Sequence, residues 1–341
     1  MAKKIKAIGL LSGGLDSVLA AALIRDQGIE VTGLLIRTGF TDHKEISDDG
    51  KRSVESTAKA LGIKFRIENI QDEYWQTLLY PKYGYGKNVN PCLDCHLHML
   101  NVAARVMQEE GADFVFTGEV IGQRPKSQLA HQMKISLQES GIEGRLLRPL
   151  SALRLEPTIP EIEGWVDRDK LKGFEGRGRK PQLELAKELG VEDLAVAAGG
   201  NCYLVIPEYS ARFKDLLKYN GKDNFPKEDA PLLKMGRHFR ISENAKLVIS
   251  RDESEYHLFQ AYRKGRYYFE LVDVIGGVAI GSGNFSEKDL ELSAALLARY
   301  SKSKAGDEVK VNISKDGEQK ELFVSTLASE DPIIEKTLIN R

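Results

Sequence analysis

The sequence predicts an α/β protein in which a doubly wound parallel sheet is followed by a smaller α+β domain. Three observations lead to this class. An apolar run at residues 5–11 is followed by a glycine turn and an amphipathic helix. Strands and helices then alternate through residue 119, which is typical of parallel sheets. Beyond a segment at 207–231 that is rich in proline and charge, strands follow one another more directly.

Length and composition fit two globular domains. The chain has 341 residues, more than one typical domain, with 42% hydrophobic and 29% charged residues. A net charge of -1 gives no global attraction to nucleic acid or membranes, so such a partner requires a local patch. The N-terminal apolar stretch is short and broken by glycines, and no run approaches a membrane span. We therefore expect a cytoplasmic protein with no membrane partner.

The first element is a strand, loop and helix unit. After the strand at 5–11 comes Ser-Gly-Gly-Leu-Asp-Ser at residues 12–17, and apolar positions recur at helical spacing through residue 26. The two glycines let the backbone present successive N–H groups, and the helix N-terminus adds its positive dipole. This predicts a phosphate cradle. An ordinary turn capped by Asp16 or Ser17 is the alternative.

The following elements complete the sheet. Strands are predicted at 30–38, 64–70 and 113–119, with a helix at 51–61 between the first two. Ligands of such sheets bind beyond the carboxyl ends of the strands. We therefore expect the turn at Thr117, Gly118 and Glu119 to lie at the same edge as the glycine loop. Ile36, near the end of the second strand, is assigned to the same nucleotide site.

Three cysteines form the second chemical motif. Cys92 and Cys95 spell C-x-x-C-H with His96, and a helix is predicted from residue 93. Thiols in a first helical turn are expected to have a lowered pKa. Cys202 follows much later, after a glycine pair. Spacing alone leaves open an iron-sulfur cluster, a zinc site completed by His96 or His98, and a persulfide-carrying pair. His98 is more readily a solvent or core contact, and His131 has no visible partner.

The hexapeptide at residues 12–17 resembles the S-G-G-x-D-S signature of the PP-loop (N-type) ATP pyrophosphatases, and it lacks the G-K-[ST] of a Walker A loop. The resemblance implies that the loop holds the pyrophosphate of ATP, which is cleaved between its α and β phosphates. It implies an adenine nucleotide alpha hydrolase fold, a role for Asp16 with Mg²⁺ or the phosphates, and contacts to ATP from Ser12, Gly13, Gly14 and Ser17.

Together with the cysteines, this loop resembles the iron-sulfur-dependent tRNA thiolation enzymes of the same superfamily. The resemblance implies that Cys92, Cys95 and Cys202 hold a 4Fe-4S cluster beside the ATP site, with one iron open to sulfide, and that Asp16, Cys95 and Cys202 are catalytic. Asn201 departs from the Gly-Gly-Cys that is usual in related sequences, which leaves the local geometry at Cys202 less defined.

Basic residues suggest two contacts with RNA. The first group lies in a glycine-rich loop and comprises Arg177, Arg179 and Lys180. The second lies in a region that begins M-G-R-H-F-R-I and resembles the NFACT-R type RNA-binding domain; it comprises Arg237, Arg240, Arg263, Lys264 and Arg266. Surface ion pairing and a half-buried sheet are the ordinary alternatives.

The resemblances together imply a tRNA sulfurtransferase that adenylates a uridine carbonyl and transfers sulfur to it. The expected domains are a PP-loop domain at 1–206, a helix and linker at 207–230, and an RNA-binding domain at 231–341. A cysteine desulfurase or free sulfide is the expected sulfur donor. A cluster-free persulfide enzyme, a PP-loop ligase for a small acid and an RNA-binding scaffold with a degenerate ATP site remain alternatives. The sequence leaves the uridine position and a homodimeric state open.

Overall fold

The computed structural model describes residues 4–41, 53–125, 127–195 and 202–339. By its internal contacts the chain divides into two compact units, Met1–Cys202 and Tyr203–Arg341. Within the described residues, no helix is both long and apolar enough to pass through a bilayer.

The first unit alternates strands and helices as predicted. Its elements are β1 (Lys6–Leu10), α1 (Leu15–Arg25), β2 (Glu30–Arg37), α2 (Val54–Ala60), β3 (Lys64–Asn69), α3 (Gln71–Leu79), α4 (Cys92–Glu110), β4 (Phe114–Phe116), α5 (Ala130–Glu139), β5 (Leu146–Leu147), α6 (Ile159–Ile162) and α7 (Lys180–Glu188). Residues 51–52 of the predicted second helix lie outside the described residues.

The strands of the first unit form one parallel sheet in the order β3-β2-β1-β4-β5. After β1 the chain adds β2 and β3 on one side of the sheet. It then crosses over and adds β4 and β5 on the other side of β1. Such a reversal is the switch point beside which ligands bind in doubly wound folds. The predicted fold class is therefore confirmed, and the loops after β1 and β4 are neighbours.

Close packing fixes the strands at this switch point. Gly9 of β1 faces Phe116 of β4, and a Cβ at residue 9 would lie 2.2 Å from the ring. Behind the sheet, α1 is buried along almost its whole length, with Val18 and Leu19 fully inaccessible. Such burial is the main stabilising contribution to the unit and holds the N-terminus of α1 in place.

The second unit is an α+β domain with an antiparallel sheet, as predicted. Its strands lie in the order β11-β10-β8-β9-β7-β6. The elements are α8 (Pro207–Asn220), β6 (Arg237–Ser242), β7 (Ala245–Ile249), α9 (Glu253–Gln260), β8 (Tyr267–Leu271), β9 (Val278–Gly283), α10 (Glu287–Arg299), β10 (Glu308–Lys315), β11 (Glu318–Ser325) and α11 (Pro332–Thr337). Ser286 caps α10 through a capping box with Asp289.

The segment that precedes the antiparallel sheet is itself packed. Phe213 of α8 is fully buried and its ring centre lies 4.7 Å from that of Phe225. Leu232 and Leu233 are also buried, in the short 3-10 helix Pro231–Lys234. Hydrophobic contacts therefore order much of the stretch at 207–234.

Candidate functional site

The glycine loop after β1 is held in shape by contacts between its own residues. Gly13 has φ of +78°, a conformation that glycine adopts at low cost. Ser17 Oγ donates to the carbonyl oxygen of Gly14 at 2.8 Å and lies 3.3 Å from Ser12 Oγ. Gly14 is the N-cap of α1, and a glycine has no side-chain oxygen. The N–H groups in the first turn of α1 therefore receive no side-chain cap. These donors and the helix dipole suit a phosphate.

The turn after β4 touches this loop. A Cβ on Gly118 would lie 2.5 Å from the backbone carbon and oxygen of Asp16 and 2.6 Å from the nitrogen of Ser17. Thr117, one residue earlier, is buried. The structure thus brings Thr117, Gly118 and the glycine loop to one edge. Ile36, near the carboxyl end of β2, is buried with 6% of its surface exposed.

Asp16 is held by a residue that the sequence reading did not assign to the ATP site. Gln123 Nε2 donates a hydrogen bond of 2.9 Å to Asp16 Oδ2. Asp16 Oδ1 and Gln123 Oε1 are both buried and have no hydrogen-bond partner among the described residues. Only three-dimensional proximity reveals this contact, since the two residues lie in different loops.

A buried ionic network stands behind the same turn. Glu119 Oε2 accepts from Thr117 Oγ1 at 2.9 Å and from Arg148 Nε at 3.0 Å. Burial by itself would raise the pKa of Glu119, but the charge of Arg148 and the nearby His96 hold it well below its usual range. His96 Nδ1 lies 3.5 Å from the other carboxylate oxygen. Glu119 is therefore ionised and fixed.

The three cysteines gather around Tyr74. Cys92 and Cys95 lie in the first turn of α4, and Cys202 forms an antiparallel bridge with Thr41. Tyr74 is almost fully buried and hydrogen-bonds the Cys95 thiol, while the charges of all three cysteines act to raise its pKa. The loop at Phe40 also packs on Tyr74, with ring centres 5.7 Å apart. Distant parts of the sequence thus converge.

Burial, together with the neighbouring Cys202 and Cys92, raises the pKa of Cys95 to about 12. The hydrogen bond from Tyr74 opposes this shift but does not cancel it. The expectation of a lowered pKa at this helix N-terminus is wrong for Cys95. Loss of water and nearby like charges outweigh the helix dipole here. All three cysteines are free of disulfides.

The three thiols do not form a metal site in the part of the chain that the structure describes. Among the described residues, no group of three or more histidine, cysteine, aspartate or glutamate side chains is arranged to hold a metal ion. A zinc site needs its sulfurs about 2.3 Å from one ion, and this arrangement is not present. His98 instead lies 2.7 Å from Thr77 Oγ1 and 3.7 Å from Glu73. Three thiols remain the right donors in kind for the predicted cluster.

The basic loop of the first unit is tied to the sheet edge that carries the glycine loop. Gly176 N donates to the carbonyl oxygen of Ile121 at 2.7 Å, and Glu175 forms a parallel bridge with Ile121. The predicted RNA contacts in this loop are exposed; they are Arg177, Arg179 and Lys180. Their charges therefore lie on a segment anchored beside Gln123.

The basic residues predicted in the second unit fall into two groups. Arg240 pairs with Asp215 at 2.5 Å, and Arg266 pairs with Asp229, both carboxylates being largely buried. Arg263 and Lys264 are exposed, and the Arg263 guanidinium lies 4.0 Å from the ring centre of Tyr268. Arg237 lies over Tyr300 at 4.7 Å. Arg263 and Lys264 thus have the most accessible charges of the five.

One cavity lies away from this chemistry. Its volume is about 310 Å³, and it is lined at the amino ends of the strands by residues that include Lys6, Glu30, Thr32 and Lys64. Lys64 and Glu30 pair there at 2.5 Å. None of the predicted site residues lines it, and the carboxyl ends of the strands remain the candidate site.

Comparisons with known proteins support both domains. Residues 5–145 match the profile described as the tRNA methyl transferase HUP domain, and residues 236–336 match the NFACT protein RNA binding domain. The resemblance to a PP-loop domain followed by an NFACT-R-type domain is confirmed.

Curated relatives are tRNA-thiolating proteins by name. The chain is 32% identical over 117 residues to the tRNA-specific 2-thiouridylase MnmA of Christiangramia forsetii, covering 32% of this chain and 30% of that protein. It is 24% identical over 240 residues to a probable tRNA sulfurtransferase of Methanothermobacter thermautotrophicus, covering 69% and 54%. The chain thus spans about a third to a half of the length of these relatives.

Among solved structures, the crystal structure of a 4-thiouridine synthetase–RNA complex with bound ATP matches with a TM-score of 0.38 and 18% identity, covering 67% of this chain and 52% of that one.

Proposed function

We propose that this chain is an ATP-dependent tRNA sulfurtransferase, which adenylates a uridine carbonyl and replaces its oxygen with sulfur. One observation carries the proposal: the nucleotide cradle and the cysteines meet through a single turn. Gly118 lies on the backbone of Asp16, the next residue Glu119 lies 3.5 Å from His96, and His96 follows Cys95. Activation of an oxygen and delivery of sulfur therefore have neighbouring sites.

The first step is adenylation. The pyrophosphate of ATP lies on the loop at residues 12–17, where backbone N–H groups and the α1 dipole stabilise its charge. The uridine carbonyl oxygen attacks the α phosphorus, pyrophosphate leaves, and the ring N3–H gives up its proton. Asp16 holds the Mg²⁺ that accompanies ATP. The poor leaving oxygen becomes part of AMP.

The second step replaces that oxygen. A sulfur nucleophile adds to the activated carbon, AMP leaves, and reprotonation at N3 gives the thiouridine. In this proposal Cys92, Cys95 and Cys202 hold the 4Fe-4S cluster, which when bound supplies an open iron for a sulfide. The three thiols are donors of the right kind and lie near one another around Tyr74, and metal coordination deprotonates thiols, although the described residues are not arranged as a formed metal site. Free sulfide provides the sulfur directly, whereas the persulfide sulfur of a cysteine desulfurase must first be reduced to sulfide by two electrons from a thiol reductant.

RNA is the proposed substrate because residues 236–336 match an RNA-binding domain, and this match disfavours a ligase for a small acid. The exposed basic residues Arg177, Arg179, Lys180, Arg263 and Lys264 are proposed to contact tRNA phosphates. Arg237 is proposed to support them through its contact with Tyr300. Arg240 and Arg266, which are paired with acids, are proposed to act by shaping the RNA-binding domain.

The test is reconstitution of the full chain under anaerobic conditions. Iron, acid-labile sulfide and the absorption spectrum are measured, and the protein is then incubated with tRNA, ATP, Mg²⁺ and sulfide. We expect AMP and thiouridine, detected by mass spectrometry of digested tRNA. Cys92→Ser, Cys95→Ser and Cys202→Ser should each abolish thiouridine, whereas the exposed Ser254→Ala should not.

The outcomes separate the alternatives. If the protein contains no iron, still thiolates tRNA and carries a persulfide, the result would favour sulfur transfer from a cysteine persulfide over a cluster. Failure of the wild-type chain to release AMP in the presence of tRNA would overturn the enzymatic proposal and favour an RNA-binding scaffold. AMP release driven by a small carboxylic acid, without tRNA, would favour a ligase.

A further inference from the structure

Two acceptor oxygens at the nucleotide edge are left without donors. Asp16 Oδ1 and Gln123 Oε1 are buried, and neither has a hydrogen-bond partner among the described residues. Each is bonded to the same carbon as an atom of the Gln123–Asp16 hydrogen bond, so both oxygens belong to the two groups that this bond joins. Leaving a buried acceptor without a donor destabilises the folded protein. Such a pair suits a ligand that brings cationic or donor groups.

The orientation of Gln123 follows from chemistry. An ionised carboxylate can only accept hydrogen bonds, so the amide nitrogen of Gln123 must face Asp16 Oδ2, and the amide oxygen is left to accept from another donor. The donor is also neutral. A lysine or arginine in its place would cancel the charge of Asp16 and weaken its attraction for a divalent cation. Gln123 fixes the carboxylate and leaves its charge intact.

The backbone around Gln123 is braced. Gly122 has φ of +75°, and its N–H donates to the carbonyl oxygen of Gln128 at 2.7 Å. Gln123 N donates to the carbonyl oxygen of Val120 at 3.2 Å. Gly176 further ties this turn through its bond to Ile121. A side chain carried by such a turn can hold a partner in one orientation.

We infer that Gln123 is a positioning residue for Asp16: it binds Oδ2 and thereby directs Oδ1, together with its own amide oxygen, at the hydrated Mg²⁺ of ATP. The inference rests on the ATP site of the proposed function. Mg²⁺ usually keeps several waters and is held by one or two carboxylates plus substrate phosphates. Asp16 Oδ1 would hold the cation, and Gln123 Oε1 would accept a hydrogen bond from one of its waters.

The experiment compares the full wild-type chain with Gln123→Ala and the matched control Gln138→Ala, an exposed glutamine of α5. Equilibrium dialysis measures ATP binding across a series of Mg²⁺ concentrations and in EDTA. For Gln123→Ala we expect the Mg²⁺ concentration for half-maximal ATP binding to rise about tenfold, the size typical of losing an outer-shell partner. Binding in EDTA and the thermal midpoint should match those of Gln138→Ala.

A double-mutant cycle checks that Gln123 acts through Asp16. In an Asp16→Asn background, Gln123→Ala should change the Mg²⁺ dependence less than about twofold, because the carboxylate that it positions is gone. A full tenfold effect in that background would overturn the inference. Equal loss of binding with Mg²⁺ and in EDTA, or a lowered thermal midpoint alone, would also overturn it, because both indicate a purely structural role.

The binding measurement separates this inference from the proposed function. If wild-type protein binds Mg·ATP with the predicted Gln123 dependence but releases no AMP with tRNA, the positioning role stands and the sulfurtransferase proposal fails. If AMP and thiouridine form with unchanged Mg²⁺ dependence in Gln123→Ala, the sulfurtransferase stands and the positioning role is wrong.

Discussion

Gly118 lies against the backbone of Asp16, so that a Cβ at position 118 would come within 2.5 Å of the carbonyl carbon and oxygen of Asp16. The loop after β4 therefore supports the loop after β1 at the place where ATP is proposed to bind. No flexible side-chain tip is present at this contact that could move aside.

Gly118→Ala should displace the glycine loop and remove ATP binding. Because the obstructing atoms are backbone, we expect ATP affinity to fall at least about a hundredfold, as misplacement by about 1 Å commonly does to activity. Equilibrium dialysis of ATP measures the change. Gly178→Ala is the control, since a Cβ there meets no atom within 4 Å. Wild-type affinity in Gly118→Ala would contradict the proposed location of the site.

Glu119→Gln should destabilise the first unit strongly. The variant leaves Arg148 buried without its counterion, which typically costs about 3 to 5 kcal/mol. Because the pKa of Glu119 is lowered in the folded state, its contribution is full above the ordinary value of 4.5 and is lost as the pH falls below it. The difference between wild type and variant should therefore shrink in acid.

Urea unfolding followed by tryptophan fluorescence measures the stability difference between wild type and Glu119→Gln and its dependence on pH. Both tryptophans, Trp75 and Trp165, lie in the first unit, so the signal reports that unit. Glu139→Gln is the control, because Glu139 pairs with Lys82 near the surface and should cost less than about 1 kcal/mol. A Glu119→Gln effect as small as the control effect would refute the buried network.

The wild-type second unit should become more stable as the pH rises into the alkaline range, and Lys246→Met should remove this increase. Burial lowers the pKa of Lys246 to about 8, although Asp215 lies 3.7 Å away. Between about pH 8 and the ordinary 10.5, the folded lysine is neutral while the unfolded one is charged, so stability rises with pH. The shift corresponds to about 3 kcal/mol. Urea unfolding by circular dichroism at pH 7.5 and 9.5 compares the two proteins; the same pH response in both would disprove the assignment.

Arg263→Ala combined with Lys264→Ala should weaken tRNA binding through lost phosphate contacts. The slope of log affinity against log salt concentration should fall by about 2, roughly one per contact. Arg240→Ala is the informative comparison, because Arg240 is paired with Asp215 and should affect unfolding more than the salt slope. Filter binding at several salt concentrations measures the slope. Equal slopes for wild type and the double variant would place the RNA contacts elsewhere.

Local patterns predicted most of the architecture. The apolar strands, the helical spacing after residue 15 and the turn glycines depend on neighbours in sequence, and β1, α1 and β2 appear within one or two residues of their predicted bounds. The prediction missed β5 and the helices α3, α5, α6, α7 and α11, and it assigned Lys180, the first residue of α7, to a loop. Helix α3 follows β3 after a single residue, Ile70. No glycine or proline turn therefore marks where the strand pattern ends and the helical pattern begins.

The sequence by itself determined the glycine loop at residues 12–17, the alternation of strands and helices in the first unit, and the presence of three cysteines. Only the tertiary structure decided that Cys202 joins Cys92 and Cys95 around Tyr74, that Gln123 holds Asp16, and that the Cys95 thiol has a raised pKa. The physical reason is the separation along the chain between the residues that determine each property. Backbone conformation follows from adjacent residues, whereas burial and charge depend on side chains that folding brings from far along the chain.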